Sequence, residues 1–253
     1  MYILKYAIIT GASRGLGASA AQKMVSEGIH VITVSRSENN SLKQAAEQSG
    51  AGYTHHSCDL SSEDQVLSVF AAIADDVFKK AEAVYVINNA GIIEPIDVAG
   101  ELDASLVQKN IQVNLTAPIL ISNLFLQKAK EADSKVVIAN VTSGAGERPI
   151  QGWSIYCSTK AAVNMFTMTA GLELKNSESS SKVIAFSPGL MDTDMQMTIR
   201  SSSEESFADV DTFRNYKESG SLRSPDTVAE ALVNLVLDND LENGRIYKVN
   251  DLL

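Results

Sequence analysis

Three side chains in this sequence are typed and spaced for moving a proton to or from a substrate oxygen. Ser143, Tyr156 and Lys160 fall within the run Ser-Gly-Ala-Gly-Glu-Arg-Pro-Ile-Gln-Gly-Trp-Ser-Ile-Tyr-Cys-Ser-Thr-Lys. Tyr156 and Lys160 are four apart, so on a helix they share one face. A phenol with its ordinary pKa near 10 is a poor acid or base at neutral pH. An ammonium beside it favours the phenolate and is expected to lower that pKa. Tyr156 then gives a proton to a carbonyl oxygen, or takes one from an alcohol in reverse, while Ser143 holds that oxygen in line by a hydrogen bond.

The neighbouring elements are set to bring these groups together. Val136 to Val141 is an apolar, β-branched run that reads as a buried parallel strand, and it delivers Ser143 at its carboxyl end. After Pro149 and Gly152, a helical pattern carries Tyr156, Lys160, Ala161, Ala162, Met165 and Phe166. Strand-like and helix-like segments alternate along the whole chain. Strands are expected at Tyr6–Thr10, Ile29–Val34, Gly52–Ser57, Val84–Ile87, Val136–Val141, Val183–Phe186 and Arg245–Val249. Between them run helical patterns such as Val66, Val69, Phe70, Ile73 and Val77. This alternation predicts one α/β domain over residues 1–253, a doubly wound parallel sheet of about seven strands with helices on both faces. Ser201 to Ser206 reads as a mobile loop.

A second motif follows the first strand. Gly11, Gly15 and Gly17 close the strand and open a helix, the context in which backbone N–H groups and the helix dipole attract a pyrophosphate. A site for NAD would place a carboxylate at the end of the second strand. Arg36 stands there instead, between Ser35 and Ser37, and Arg14 adds a second guanidinium from the glycine loop. Two such cations suit a 2′-phosphate, so the expected cofactor is NADP(H).

Composition narrows the partners. With 253 residues and 45% apolar content the chain can bury a full core. Its formal charge of −10 argues against nucleic acid or an anionic membrane. Neither a signal-type segment nor a run of eighteen apolar residues is present, which reads as a soluble, cytoplasmic protein. Cys58 and Cys157 do not make a disulfide framework. His55 and His56 point to opposite faces of a strand, so no metal site is expected.

Taken together, Thr10-Gly11-Ala12-Ser13-Arg14-Gly15-Leu16-Gly17, Asn88-Asn89-Ala90-Gly91, Asn114, Ser143, Tyr156-x-x-x-Lys160 and Pro188-Gly189 resemble the short-chain dehydrogenase/reductases. The resemblance covers nearly the whole chain and implies a single-domain Rossmann fold, hydride transfer and an Asn114-Ser143-Tyr156-Lys160 tetrad. It also implies that Gly11, Ser13, Arg14, Gly15, Leu16, Gly17 and Arg36 hold the cofactor's phosphates and ribose. By the same likeness Asp59 and Leu60 meet the adenine, and Asn89, Ala90 and Gly91 line the cofactor beside the fourth strand. Pro188, Gly189, Leu190 and Thr193 flank the nicotinamide, whose ribose Lys160 also binds. In this family the main-chain carbonyl of Asn114 holds a proton-relaying water. Pro118 has no N–H to give that carbonyl if the segment is helical, which agrees with such a role.

Two stretches, Gly152 to Cys157 and Pro188 to Gln196, look like the sepiapterin reductase branch, which includes bacterial benzil and diketone reductases. That likeness implies reduction of a vicinal dicarbonyl by NADPH, with a pterin or a non-catalytic NADP(H) sensor as alternatives. Sepiapterin reductases anchor the pterin through an aspartate near the C-terminus; the position here is Lys248, which favours an aromatic or hydrophobic dicarbonyl. Trp153, Ile150, Met191, Met195 and Met197 are expected to line the substrate cavity beneath a loop around 191–220. The helix through Leu115 to Leu126 pairs with its copy in relatives, implying a homodimer or homotetramer.

Overall fold

The computed structural model describes residues 4–253. Seven strands form one parallel sheet: β1 (Lys5–Thr10), β2 (His30–Ser35), β3 (Tyr53–Ser57), β4 (Ala83–Asn88), β5 (Val136–Val141), β6 (Lys182–Ser187) and β7 (Ile246–Lys248). Their order is β3-β2-β1-β4-β5-β6-β7, so the chain reverses its winding between β1 and β4. In doubly wound sheets ligands bind outside the carboxyl ends of the strands at such a switch point. The glycine loop leaves β1 and the Asn-Asn-Ala-Gly turn leaves β4 at that place.

Among the described residues, nine α-helices connect and cover the strands: α1 (Gly15–Ser26), α2 (Asn40–Ser49), α3 (Glu63–Val77), α4 (Ala104–Ile111), α5 (Ala117–Glu131), α6 (Ser154–Asn176), α7 (Asp194–Arg200), α8 (Val210–Glu218) and α9 (Pro225–Leu237). Residues of a strand alternate between the two faces. In β1, Ala7 and Ile9 join the core under α1, α2 and α9. Tyr6 and Ile8 join the core under α3, α5 and α6. Both faces are therefore apolar, as the near-continuous apolar strands require. The strand bounds differ from expectation by at most one residue at either end, and those of β5 not at all.

A third, smaller core lies apart from the sheet. Ile93, Trp153, Tyr156, Ile199, Phe207, Val210 and Phe213 pack together. The segment around 191–220 is thus not an open loop: it contains α7 and α8. Ser201 to Ser206, expected to be a mobile loop, is a series of turns held against the rest. A Cβ on Gly152 would come within 2.1 Å of the Ser206 carbonyl oxygen, so the two segments touch backbone to backbone. The expected helix through Leu115 begins instead with a π-helical turn over Gln112–Thr116, followed by α5 with Pro118 in its first turn. Among the described residues, no helix is long and apolar enough to cross a membrane.

Candidate active site

Two cavities meet beyond the carboxyl edge of the sheet, and Tyr156 lines both. The larger, of 810 Å³, runs from Arg36 and Asp59 past the glycine loop to Tyr156 and Lys160. The smaller, of 460 Å³, extends from Ser143 and Tyr156 beneath α7 and α8. Helix α6 supplies Tyr156 and Lys160 from its buried face, one turn apart. Ser143 follows β5 and caps a short 3-10 turn, its hydroxyl accepting from the Ala145 N–H at 3.2 Å. Gly146 lets this loop lie flat on α6, since a Cβ there would meet the Lys160 backbone at 2.8 Å.

The electrostatics of the pair depart from expectation. Burial pushes the Tyr156 phenol up to about 12, although the neighbouring Ser143 hydroxyl pulls the other way. Lys160 is also buried and is brought down to about 8. Its ammonium makes no hydrogen bond to the phenol: Nζ donates to the Val141 carbonyl at 2.9 Å and stands 5.6 Å from the phenol ring centroid. Desolvation therefore governs the phenol, contrary to the lowering that spacing alone suggests. The phenol is neutral at ordinary pH, the form in which it can donate a proton.

Asn114 lies in the π turn, an arrangement frequent at functional sites. Its side-chain oxygen accepts from Ile92 N–H at 2.9 Å, and its amide donates to Ile92 O at 2.8 Å and Asn110 Oδ1 at 2.9 Å. The side chain is thus spent on clamping the turn after β4, and it lines neither cavity. Only the main-chain carbonyl remains for the expected water, and Pro118 offers it no N–H.

The glycine loop has the close approaches that a bound pyrophosphate needs from its cradle. Gly11 and Gly15 take φ of +68° and +56°, the left-handed region that favours glycine. A Cβ on Gly17 would come within 2.4 Å of Asn89 Nδ2 and 2.5 Å of the Gly11 carbonyl. Gly17 therefore packs the loop and does not line the cleft, whereas Gly11, Ser13, Arg14, Gly15 and Leu16 do. Thr10, whose contribution sequence reading missed, ties the two loops: its hydroxyl oxygen accepts from the Asn89 and Ala90 N–H groups, both at 3.0 Å. Asn89 lines the cleft, but its amide group also donates back to the Thr10 carbonyl at 3.0 Å. Ala90 and Gly91 line the same cleft.

At the far end stand Arg36, Asp59 and Leu60, and also Lys109 from α4. Hydrogen bonds from the Ser61 backbone and hydroxyl hold the Asp59 carboxyl below the usual carboxylate range. Arg14 is arranged differently from expectation. Its guanidinium pairs with Asp194 of α7 at 2.6 Å, bridging the mouth of the cleft. Arg36 forms no ion pair among the described residues. Near the junction, Pro188 and Thr193 line both cavities, whereas Gly189 and Leu190 line only the smaller.

The smaller cavity is walled by the third core. Trp153 stacks on Phe207 with centroids 4.8 Å apart and planes 6° apart, and meets Tyr156 edge-on at 5.7 Å. Ile150, Trp153, Met191 and Met195 line this cavity. Met197 does not: it is 58% exposed. On α7, Met195 and Ile199 share the inward face, and Met197, two residues from each, points away. Gln196, Glu147 and Lys248 also line the cavity; Lys248 is the position that the likeness to sepiapterin reductases singled out, whereas Glu147 carried no local sequence signal. Trp153 Nε1 and Gln196 Oε1 are buried without hydrogen-bond partners.

A doubly wound sheet with a serine, tyrosine and lysine at the carboxyl edge beside a glycine cradle is the design of a nicotinamide-dependent oxidoreductase. The chain belongs to the short-chain dehydrogenase family, whose model matches residues 5–204. Among characterised proteins it is similar to benzil reductase ((S)-benzoin forming) of Bacillus subtilis strain 168, 41% identical over 250 residues, 97% of this chain and 98% of that one. It is likewise similar to benzil reductase ((S)-benzoin forming) of Bacillus cereus, 35% identical over 98% of this chain and 100% of that one. A crystal structure of a short-chain dehydrogenase/reductase from Saccharomyces cerevisiae superposes with a TM-score of 0.80 at 30% identity, covering 98% and 96% of the two chains.

Proposed function

We propose that this protein is an NADPH-dependent carbonyl reductase acting on a vicinal dicarbonyl such as an aromatic 1,2-diketone. The observation that carries the reading is Tyr156 standing where a cofactor-sized cleft and an aromatic-walled cavity meet. Bound in the larger cleft, a reduced nicotinamide cofactor supplies the hydride. Tyr156, kept neutral by burial, gives its proton to the carbonyl oxygen. Ser143 hydrogen-bonds the same oxygen and fixes its position. Lys160 would hold the nicotinamide ribose, and a water held by the main-chain carbonyl of Asn114 would relay protons to Lys160, the side from which the phenolate is reprotonated.

Arg36 supports NADPH over NADH, because a guanidinium and no carboxylate stands at the end of β2. Similarity to the two benzil reductases supports the diketone. On α6, Met165, Met168 and Leu172 are exposed at 61%, 47% and 58%, an apolar face suited to pairing with a second copy in a homodimer or homotetramer. The cytoplasm is the compartment proposed. The test is NADPH oxidation with benzil and with sepiapterin in parallel. Rapid turnover of benzil with little of sepiapterin is expected; strong sepiapterin reduction with idle benzil overturns the diketone reading.

A further inference from the structure

The cavity beneath α7 and α8 has two unlike ends. One holds Ser143, Tyr156 and the aromatic wall. At the other, Lys248 Nζ donates to Glu147 Oε2 at 2.6 Å, and both residues line the cavity. Their side chains are 49% and 36% exposed, so the pair stands at the mouth, open to solvent and to an entering molecule. Both are fixed relative to the chemistry. Glu147 ends the 3-10 turn that Ser143 begins, and that turn is pressed onto α6 at Gly146. Lys248 ends β7, in register with Ser187 of β6, and so sits at the carboxyl edge of the sheet.

We propose that Lys248 binds the second oxygen of the substrate and that Glu147, by pairing with Lys248, sorts substrates by charge, admitting neutral dicarbonyls in preference to 2-oxo acids. An ammonium has three donors; one serves Glu147 and two remain for a carbonyl oxygen. The other charged residues lining the cavity are Arg148 and Asp209, one of each sign, so the lining is neutral as a whole. An uncharged diketone loses nothing there, whereas a carboxylate finds Lys248 already matched and Glu147 repelling it. Removing the Glu147 charge leaves the lining with one net positive charge and frees Lys248 for an anion.

This inference rests on the carbonyl-reductase reading, and the test separates the two. NADPH oxidation is followed with benzil and with benzoylformate for the wild type, Glu147→Gln, Lys248→Met and, as a control for bulk charge, Glu47→Gln on the exposed face of α2. The readout is the ratio of kcat/KM for benzoylformate to that for benzil, with kcat and KM resolved. Glu147→Gln is expected to raise the ratio roughly fivefold through the benzoylformate KM, a gain that fades in high salt. Lys248→Met is expected to lower the ratio and to raise the benzil KM. Equal ratios in the wild type and both cavity variants, or an equal rise in Glu47→Gln, overturn the charge-sorting proposal while leaving the reductase reading intact. A wild type that oxidises NADPH with neither compound overturns both. Melting temperatures near that of the wild type show that each variant is folded.

Discussion

The two halves of the site are built on different principles. The cofactor cleft is made by backbone: glycines at close approach, and Thr10 and Asn89 lacing two strand ends together. The smaller, aromatic-walled cavity is made by side chains: Trp153 and Phe213 line it, and Phe207 stacks on Trp153 from a third segment. A backbone cradle tolerates almost no added atom, because main chain cannot turn aside. A side-chain wall can repack, so its chemistry can change while the fold is kept. The first half fits a ligand shared by many enzymes; the second can vary from one substrate to the next.

Substitutions in each half sharpen this contrast. The largest effect is expected from Gly17→Ala, whose methyl group would press on Asn89 and the Gly11 carbonyl. Overpacking of this kind costs about 1–3 kcal/mol, so NADPH affinity should fall by up to roughly 100-fold, read by fluorescence titration. Phe207→Leu should act on the other half, raising the benzil KM by roughly tenfold while the NADPH Kd stays near that of the wild type. A shift of both constants in either variant would break the division between the halves.

The junction has its own pH dependence. Lys160 is brought down to about 8 by burial, so its ammonium is lost as pH rises above that value. The rate of carbonyl reduction, kcat/KM, should be level below pH 8 and decline above it, by roughly tenfold per unit at the limit. Stability moves in the opposite direction. The unfolded lysine keeps its proton up to its ordinary 10.5, so from about 8 to 10.5 the unfolded chain binds more protons there. The contribution of Lys160 to unfolding free energy therefore rises with pH across that window, and denaturant titrations at pH 7 and 9 can follow it.

The smallest effects distinguish the two arginines at the cofactor's far end. Arg36→Ala should cut the preference for NADPH over NADH by roughly tenfold, the loss of a charge-assisted contact to the 2′-phosphate. Arg14→Ala should cut it by no more than about two- to threefold, because that guanidinium is paired with Asp194 and solvent-exposed. Equal losses would mean that Arg14 leaves Asp194 for the cofactor.

The same division explains what the sequence disclosed. The glycine loop, the Tyr156–Lys160 turn and the strand that delivers Ser143 are local patterns, and a local pattern can be read along the chain. Arg36 followed from its place at the end of β2. The aromatic wall could not be read this way, since Trp153 and Phe213, with Phe207 stacked on Trp153, come together only once the sheet and α7–α8 are assembled. Met197 shows the limit: its type suits a cavity wall, but the short helix α7 turns it outward. Tyr156 shows another, because sequence spacing reveals a neighbouring charge but not the desolvation that outweighs it.

Tyr156 joins the two halves as the proposed proton donor. The most direct measurement compares NADPH oxidation with benzil by the wild type and by Tyr156→Phe, which keeps the ring and removes the hydroxyl. Turnover by the wild type and a loss of roughly 100-fold or more in the variant is the predicted result. Equal rates in the two proteins would contradict it.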